Sequence, residues 1–68
     1  MKNKVEKYRK KHDVSQDQLA KLMKVSRQTI SSIENGRYNP SVTLAYKLAS
    51  YFHVSIEDLF DFEEENNE

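Results

Sequence analysis

An all-α domain of five short helices around a single core is the fold class this sequence predicts. Apolar residues recur at three- and four-residue spacing through most of residues 3–60, and no alternating run of any length precedes residue 60. Serines at 15, 26, 41 and 55 each stand just ahead of an apolar segment, where a side-chain hydroxyl can accept the first orphan amides of a helix. With 68 residues there is room for one compact cluster and no second domain.

The first segment, from Asn3 to about Lys11, sets Val5 and Tyr8, with Met1 at the same spacing, among Lys, Glu and Arg. That is an amphipathic helix. His12-Asp13-Val14 follows as a turn. Ser15-Gln16-Asp17-Gln18 has the capping-box form, Ser15 taking the amide of Gln18 while Gln18 reaches back to Ser15. The second helix then presents Leu19, Ala20, Leu22 and Met23 as one buried stripe. The pattern stops at Lys24-Val25. Ser26 caps a third helix, spanning 26–35, that ends at Gly36, a residue suited to the left-handed C′ position. About three residues separate the second and third helices, too few for a long antiparallel hairpin, so a sharp crossing is expected. This is the spacing of a helix-turn-helix.

Pro40 drives Asn39 out of the helical region, so Arg37-Tyr38-Asn39-Pro40 is extended or turning. Ser41 opens a fourth helix whose apolar positions are Val42, Leu44, Ala45, Leu48, Ala49 and Phe52, with His53 closing it. Ser55-Ile56-Glu57-Asp58 repeats the cap signature and starts a short fifth helix containing Ile56, Leu59 and Phe60. The alternate spacing of Phe60 and Phe62 ahead of a run of acids also fits a short C-terminal strand. Tyr8, Tyr46 and Tyr51 are expected at the edge of the core, and Tyr38 falls in the loop after Gly36. The domain is therefore placed at 1–62, with 63–68 as an acidic, disordered tail.

Net charge is zero, but its distribution is not. Residues 1–56 hold all 11 Lys and Arg against four acids, a balance of +7, and residues 57–68 hold seven acids and no base. A basic body suggests a polyanionic partner, although lysine is also the ordinary surface of small helical domains. The absence of cysteine removes disulfides and Cys-based zinc sites. His12 and His53 are isolated, so no metal site is expected. A single glycine rules out nucleotide-binding loops, which need several. No cofactor or small-molecule ligand is expected, and an enzyme is disfavoured for want of a place to organise catalysis. No apolar run approaches the ~20 residues of a membrane span, and a cytoplasmic, nucleoid-associated protein is expected.

On a wheel of ~100° per residue, Ile30 and Ile33 of the third helix face the core, while Arg27, Gln28, Ser31, Ser32 and Asn35 gather on the opposite side. That side has hydrogen-bonding groups, no large apolar residue and no acid. It is either an ordinary solvated face or a surface that enters a major groove, where Gln28 suits an adenine edge and Arg27 a guanine edge.

Ser15-Gln16-x-x-Leu19-Ala20, Val25-Ser26-Arg27-Gln28-Thr29-Ile30-Ser31-x-Ile33-Glu34-Asn35-Gly36-Arg37 and Asn39-Pro40-Ser41 resemble the Xre/Cro type of helix-turn-helix repressor domain over residues 3–60. The resemblance implies a five-helix, lambda-repressor-like fold and a dimeric transcription regulator of bacteria or their phages. Residue by residue, it implies base readout by Arg27, Gln28 and Ser32 with Ser31 flanking them. It implies backbone positioning by Gln16, Thr29, Asn35, Arg37 and Asn39, and a structural ion pair of Arg9 with Glu34. Lys24 stands where relatives often have glycine.

The functional expectation is a sequence-specific, double-stranded DNA-binding repressor that reads a palindromic operator as a homodimer. Tyr51, Leu59, Phe60 and Phe62 are the expected contacts between copies. The alternatives are the DNA-binding antitoxin of a toxin–antitoxin pair, or a helical antirepressor module that binds protein.

Overall fold

The computed structural model describes residues 2–61. Five helices follow in order: α1 Val5–Lys11, α2 Gln16–Met23, α3 Arg27–Glu34, α4 Val42–Phe52 and α5 Ile56–Leu59. Four of them begin as their serines dictate. The hydroxyl oxygens of Ser15, Ser26, Ser41 and Ser55 accept the amides of Gln18, Thr29, Leu44 and Asp58 at 3.0–3.1 Å. At α2 the box closes, the Ser15 amide donating to Gln18 Oε1 at 2.8 Å.

α1 starts differently. Lys4 offers no side-chain cap, and Asn3 supplies one, its Oδ1 accepting the Val5 amide at 3.1 Å. The same side chain donates through Nδ2 to the Ile33 carbonyl at 2.7 Å and so ties the start of α1 to the end of α3. No periodicity in the sequence signals this bond.

The helices end by a common device. After α1, α2, α3 and α4 the residues Asp13, Lys24, Gly36 and His53 take φ of 59°, 62°, 76° and 60°. Each donates back to the carbonyl three residues earlier, and the next residue donates to the carbonyl five earlier, as Val25 does to Ala20 at 3.0 Å. This is the Schellman motif. Gly36 adopts the left-handed conformation without cost; the other three carry a Cβ that crowds the following carbonyl, at ~1–2 kcal/mol each. Replacing Lys24 with glycine is therefore expected to raise the unfolding free energy by ~0.5–1 kcal/mol, glycine's greater freedom in the unfolded chain offsetting part of the gain. Urea denaturation measures it, and a loss of stability would show that the Lys24 side chain contributes packing greater than the strain.

One apolar cluster holds the helices together. Val5, Leu19, Ile30, Ile33, Leu48 and Leu59 have no exposed surface, and Ala20, Met23, Leu44, Ala45, Ala49, Phe52 and Phe60 are buried around them. α2 and α3 form the most extensive helix pair, and α4 packs across α1 and α2. Tyr8 and Tyr51 sit at the core edge with His12 and Phe52, ring centroids 5.1–5.9 Å apart.

Several sequence expectations are corrected. Leu22 is 53% exposed, not part of the α2 stripe, and Val42 and Tyr46 are 82% and 63% exposed. The core covers a narrower arc of α2 and α4 than the apolar residues span. Leu59 and Phe60 are buried within the chain and so are not available to a partner. The two ends of the domain meet at Phe60: it forms an antiparallel bridge with Asn3, flanked by Lys4 N–H donating to the Leu59 carbonyl at 2.8 Å and Asp61 N–H to the Lys2 carbonyl at 2.9 Å. Among the described residues, the expected C-terminal strand reduces to this single bridge. Phe62 and the acidic stretch 63–68 lie outside the described residues.

Candidate nucleic-acid interface

α3 is held by the core on one side and by an ion pair on another. Ile30 and Ile33 anchor it, and their direction fixes what faces outward: Arg27, Gln28 and Asn35 are exposed, and Ser31 and Ser32 half-buried between them. The structure thus brings together on one face the five residues expected there. Short serines in the middle leave the helix backbone close to whatever lies on it.

The one acid of α3 is removed from that face. Glu34 turns toward α1, where Oε2 accepts Arg9 Nε at 2.7 Å and Oε1 accepts Arg9 Nη2 at 3.3 Å, with side-chain exposures of 4% and 11%. This bidentate arrangement is the strong form of a charge-assisted hydrogen bond. Gln16 Nε2 is a third donor to the carboxylate, bonding Oε1 at 2.9 Å, and Arg9 Nη1 donates to the Val14 carbonyl at 2.9 Å. Three segments therefore meet at one carboxylate, α1, the start of α2 and the end of α3, and Arg9 ties in the turn after α1 through the Val14 carbonyl. The Glu34 charge is balanced internally and adds no repulsion to the outward face.

Gln16 and Thr29, expected to position a phosphate backbone, have internal partners. Gln16 braces Glu34, and Thr29 Oγ1 lies 2.9 Å from Ser26 Oγ while its amide completes the cap of α3. Arg37 and Asn39 are exposed in the loop beyond α3. That loop is folded back onto the helix end, with the amides of Arg37 and Tyr38 donating to the Ser32 carbonyl at 2.9 and 3.3 Å. Arg37 is thereby fixed beside the outward face.

Tyr38, to which the sequence assigned no role, lines a shallow recess with Ser26, Gln28, Thr29 and Ser32. A neighbouring recess shares Thr29 and Tyr38 and is edged by Lys24 and Lys47. Together they line one flank of α3 with amide, hydroxyl and cationic groups set among apolar surface from Met23, Val25, Leu44 and the Tyr38 ring. No group of three or more metal-ligating side chains occurs among the described residues, and none of their helices is long and apolar enough to cross a membrane.

A family model described as helix-turn-helix matches residues 5–59. An uncharacterized HTH-type transcriptional regulator of Methanocaldococcus jannaschii is 52% identical over 65 residues, which cover 96% of this chain and 98% of that protein. One from Archaeoglobus fulgidus is 46% identical, covering 96% and 92%, and YgzD of Bacillus subtilis is 46% identical, covering 97% and 100%. Among solved structures, the restriction-modification controller protein C.AhdI of Aeromonas hydrophila superposes with a TM-score of 0.73 at 28% identity, over 82% of this chain and 85% of its own.

Proposed function

The chain belongs to the helix-turn-helix family, and from that premise we propose that it is a repressor which binds a palindromic operator as a homodimer and reads each half-site with α3 in the major groove. The family match and the similarly named relatives support a DNA-binding transcriptional regulator.

The outward face of α3 supports major-groove readout. Arg27, Gln28, Ser31, Ser32 and Asn35 form a strip with no acid and no large apolar group, and Glu34 is neutralised behind it. A major groove is ~12 Å wide and admits one helix. Arg27 and Gln28, at the start of α3, are the base-reading residues, with Ser31 and Ser32 allowing close approach. Asn35, Arg37 and Asn39 position the phosphate backbone beyond the helix end. Gln16 and Thr29 act on DNA mainly through α3, which they hold in place. A single helix covers only a few base pairs, and two copies spanning half-sites ~34 Å apart supply the rest of the recognition.

The division between reading and positioning is tested at Arg37. The Arg37→Ala variant is expected to weaken binding to every duplex alike and to reduce the slope of log K against log salt by about one, since one phosphate contact is lost. Binding measured over a salt series decides it. An unchanged slope, or a loss confined to one duplex sequence, contradicts the assigned role.

A further inference from the structure

We propose that the recess between the α2–α3 turn and α4, edged by Lys24 and Lys47, holds a backbone phosphate of duplex DNA, a contact separate from the one assigned to Arg37. This site deepens the reading of α3 as the groove-entering helix and rests on it. Unrelated duplex, which tests phosphate contacts alone, tells the failure of one from the failure of the other.

The exposed lysines of this chain are not alike. Lys10 is paired with Glu6 at 3.0 Å and Lys21 with Asp17 at 3.5 Å, each one helical turn away. Lys24 and Lys47 have no such acid: neither makes an ion pair among the described residues, and no acid lines the recess they edge. They reach it from different elements, Lys24 as the left-handed residue that closes α2 and Lys47 from the middle of α4. Two cations held at one recess repel each other, and an anion between them relieves the repulsion.

The rest of the lining suits the same ligand. Thr29, Ser41 and Thr43 bring hydroxyls to the recess, and ammonium and hydroxyl groups are the ordinary side-chain donors to a backbone phosphate. Its apolar part suits lysine stems, which cover such surface while the ammonium stays in water. The turn that carries Lys24 is itself fixed, the Lys24 amide donating to the Lys21 carbonyl at 3.2 Å and the Val25 amide to the Ala20 carbonyl at 3.0 Å. Asp13 and His53 share its left-handed strain, so strain alone marks nothing here. Convergence with Lys47 does.

Position chooses the duplex as the source of the phosphate. Thr29 and Tyr38 belong both to this recess and to the one they form with Ser26, Gln28 and Ser32. The two lysines therefore lie along the flank of the helix whose start carries Arg27 and Gln28, where a phosphate ridge runs once α3 is in the groove. Lys24 precedes α3 and Arg37 follows it. Phosphates gripped before and beyond the helix set its tilt as well as its depth, which one contact cannot do.

Binding of the full chain to unrelated duplex over a salt series tests the site. The double variant Lys24→Gly with Lys47→Gln is expected to bind roughly fivefold more weakly near 0.15 M salt and to lose about one from the slope of log K against log salt, the share of one phosphate contact. Lys7→Gln with Lys11→Gln, two exposed lysines of α1, removes the same charge and should leave the slope near the parent value. Lys24→Gly alone should weaken binding while raising the unfolding free energy, two effects of opposite sign that no folding defect produces. A double variant that binds as the α1 control does overturns the assignment. So does an unchanged duplex slope when the same variant abolishes the shifts that inorganic phosphate causes in the Thr29 and Lys47 amide resonances, the mark of a free-anion site. A parent that prefers no sequence, yet loses slope at Lys24 and Lys47, counts against base readout by α3 and leaves this site standing.

Discussion

Replacing Glu34 with alanine is expected to lower the unfolding free energy by ~3–5 kcal/mol, the usual result of removing one partner from a buried ion pair. The reason is what stays behind. Arg9, with only 11% of its side chain exposed, keeps its Nη1 bond to the Val14 carbonyl but loses both bonds to the carboxylate, and Gln16 loses its acceptor. At ~0.05–0.15 kcal/mol per residue, a domain of this size has only ~3–10 kcal/mol in total. The variant should therefore be largely unfolded or close to it at 37 °C. Arg9→Ala should approach the same loss by leaving a carboxylate that is 4% exposed without its cation. Replacing both with apolar residues of similar size should cost less than either single change, because no charge is then stranded. Urea denaturation measures all three. A loss under ~1 kcal/mol for Glu34→Ala, the scale of a surface pair, would show that Arg9 and Glu34 are solvated in solution.

The second large effect concerns DNA and leaves the fold intact. Arg27→Ala and Gln28→Ala are each expected to cost ~1–3 kcal/mol on the preferred duplex, a loss of roughly 5- to 150-fold, and to relax discrimination at one base pair. Both side chains are exposed and make no contact the core depends on, so melting should be unchanged. Affinity for unrelated duplex should change far less, because that term comes from phosphate contacts. The contrast with Arg37→Ala is the informative part. Binding titrations on matched and unrelated duplexes separate the two roles, and equal losses on both duplexes for Arg27 and Gln28 variants would remove them from base readout.

Much of this was legible in the sequence because the decisive signals are local. A serine before an apolar segment fixed four helix starts, the capping box fixed the register of α2, and Gly36 fixed the end of α3. The outward face of α3 follows from Ile30 and Ile33 alone. What the pattern could not supply is non-local. Periodicity indicates which side of a helix is apolar but not how wide an arc its neighbours cover, so Leu22 and Val42, expected in the buried stripes, and Tyr46, expected at the core edge, are exposed. Phe60, expected between copies, is buried within the chain. It joins the common core cluster, and its backbone bridges to Asn3, a contact between opposite ends of the domain. Resemblance supplied the Arg9–Glu34 pair, but the third donor from Gln16 and the bond to the Val14 carbonyl become visible only when four segments are brought together.

Selection of bound fragments from a random duplex library at modest ionic strength probes the reading of α3 most directly. The expected outcome is one enriched sequence with inverted halves whose centres lie ~34–36 Å apart, and loss of preference at a defined base pair when Gln28 is replaced by alanine. Recovery of no sequence above bulk competitor by the folded chain would mean that α3 does not read bases.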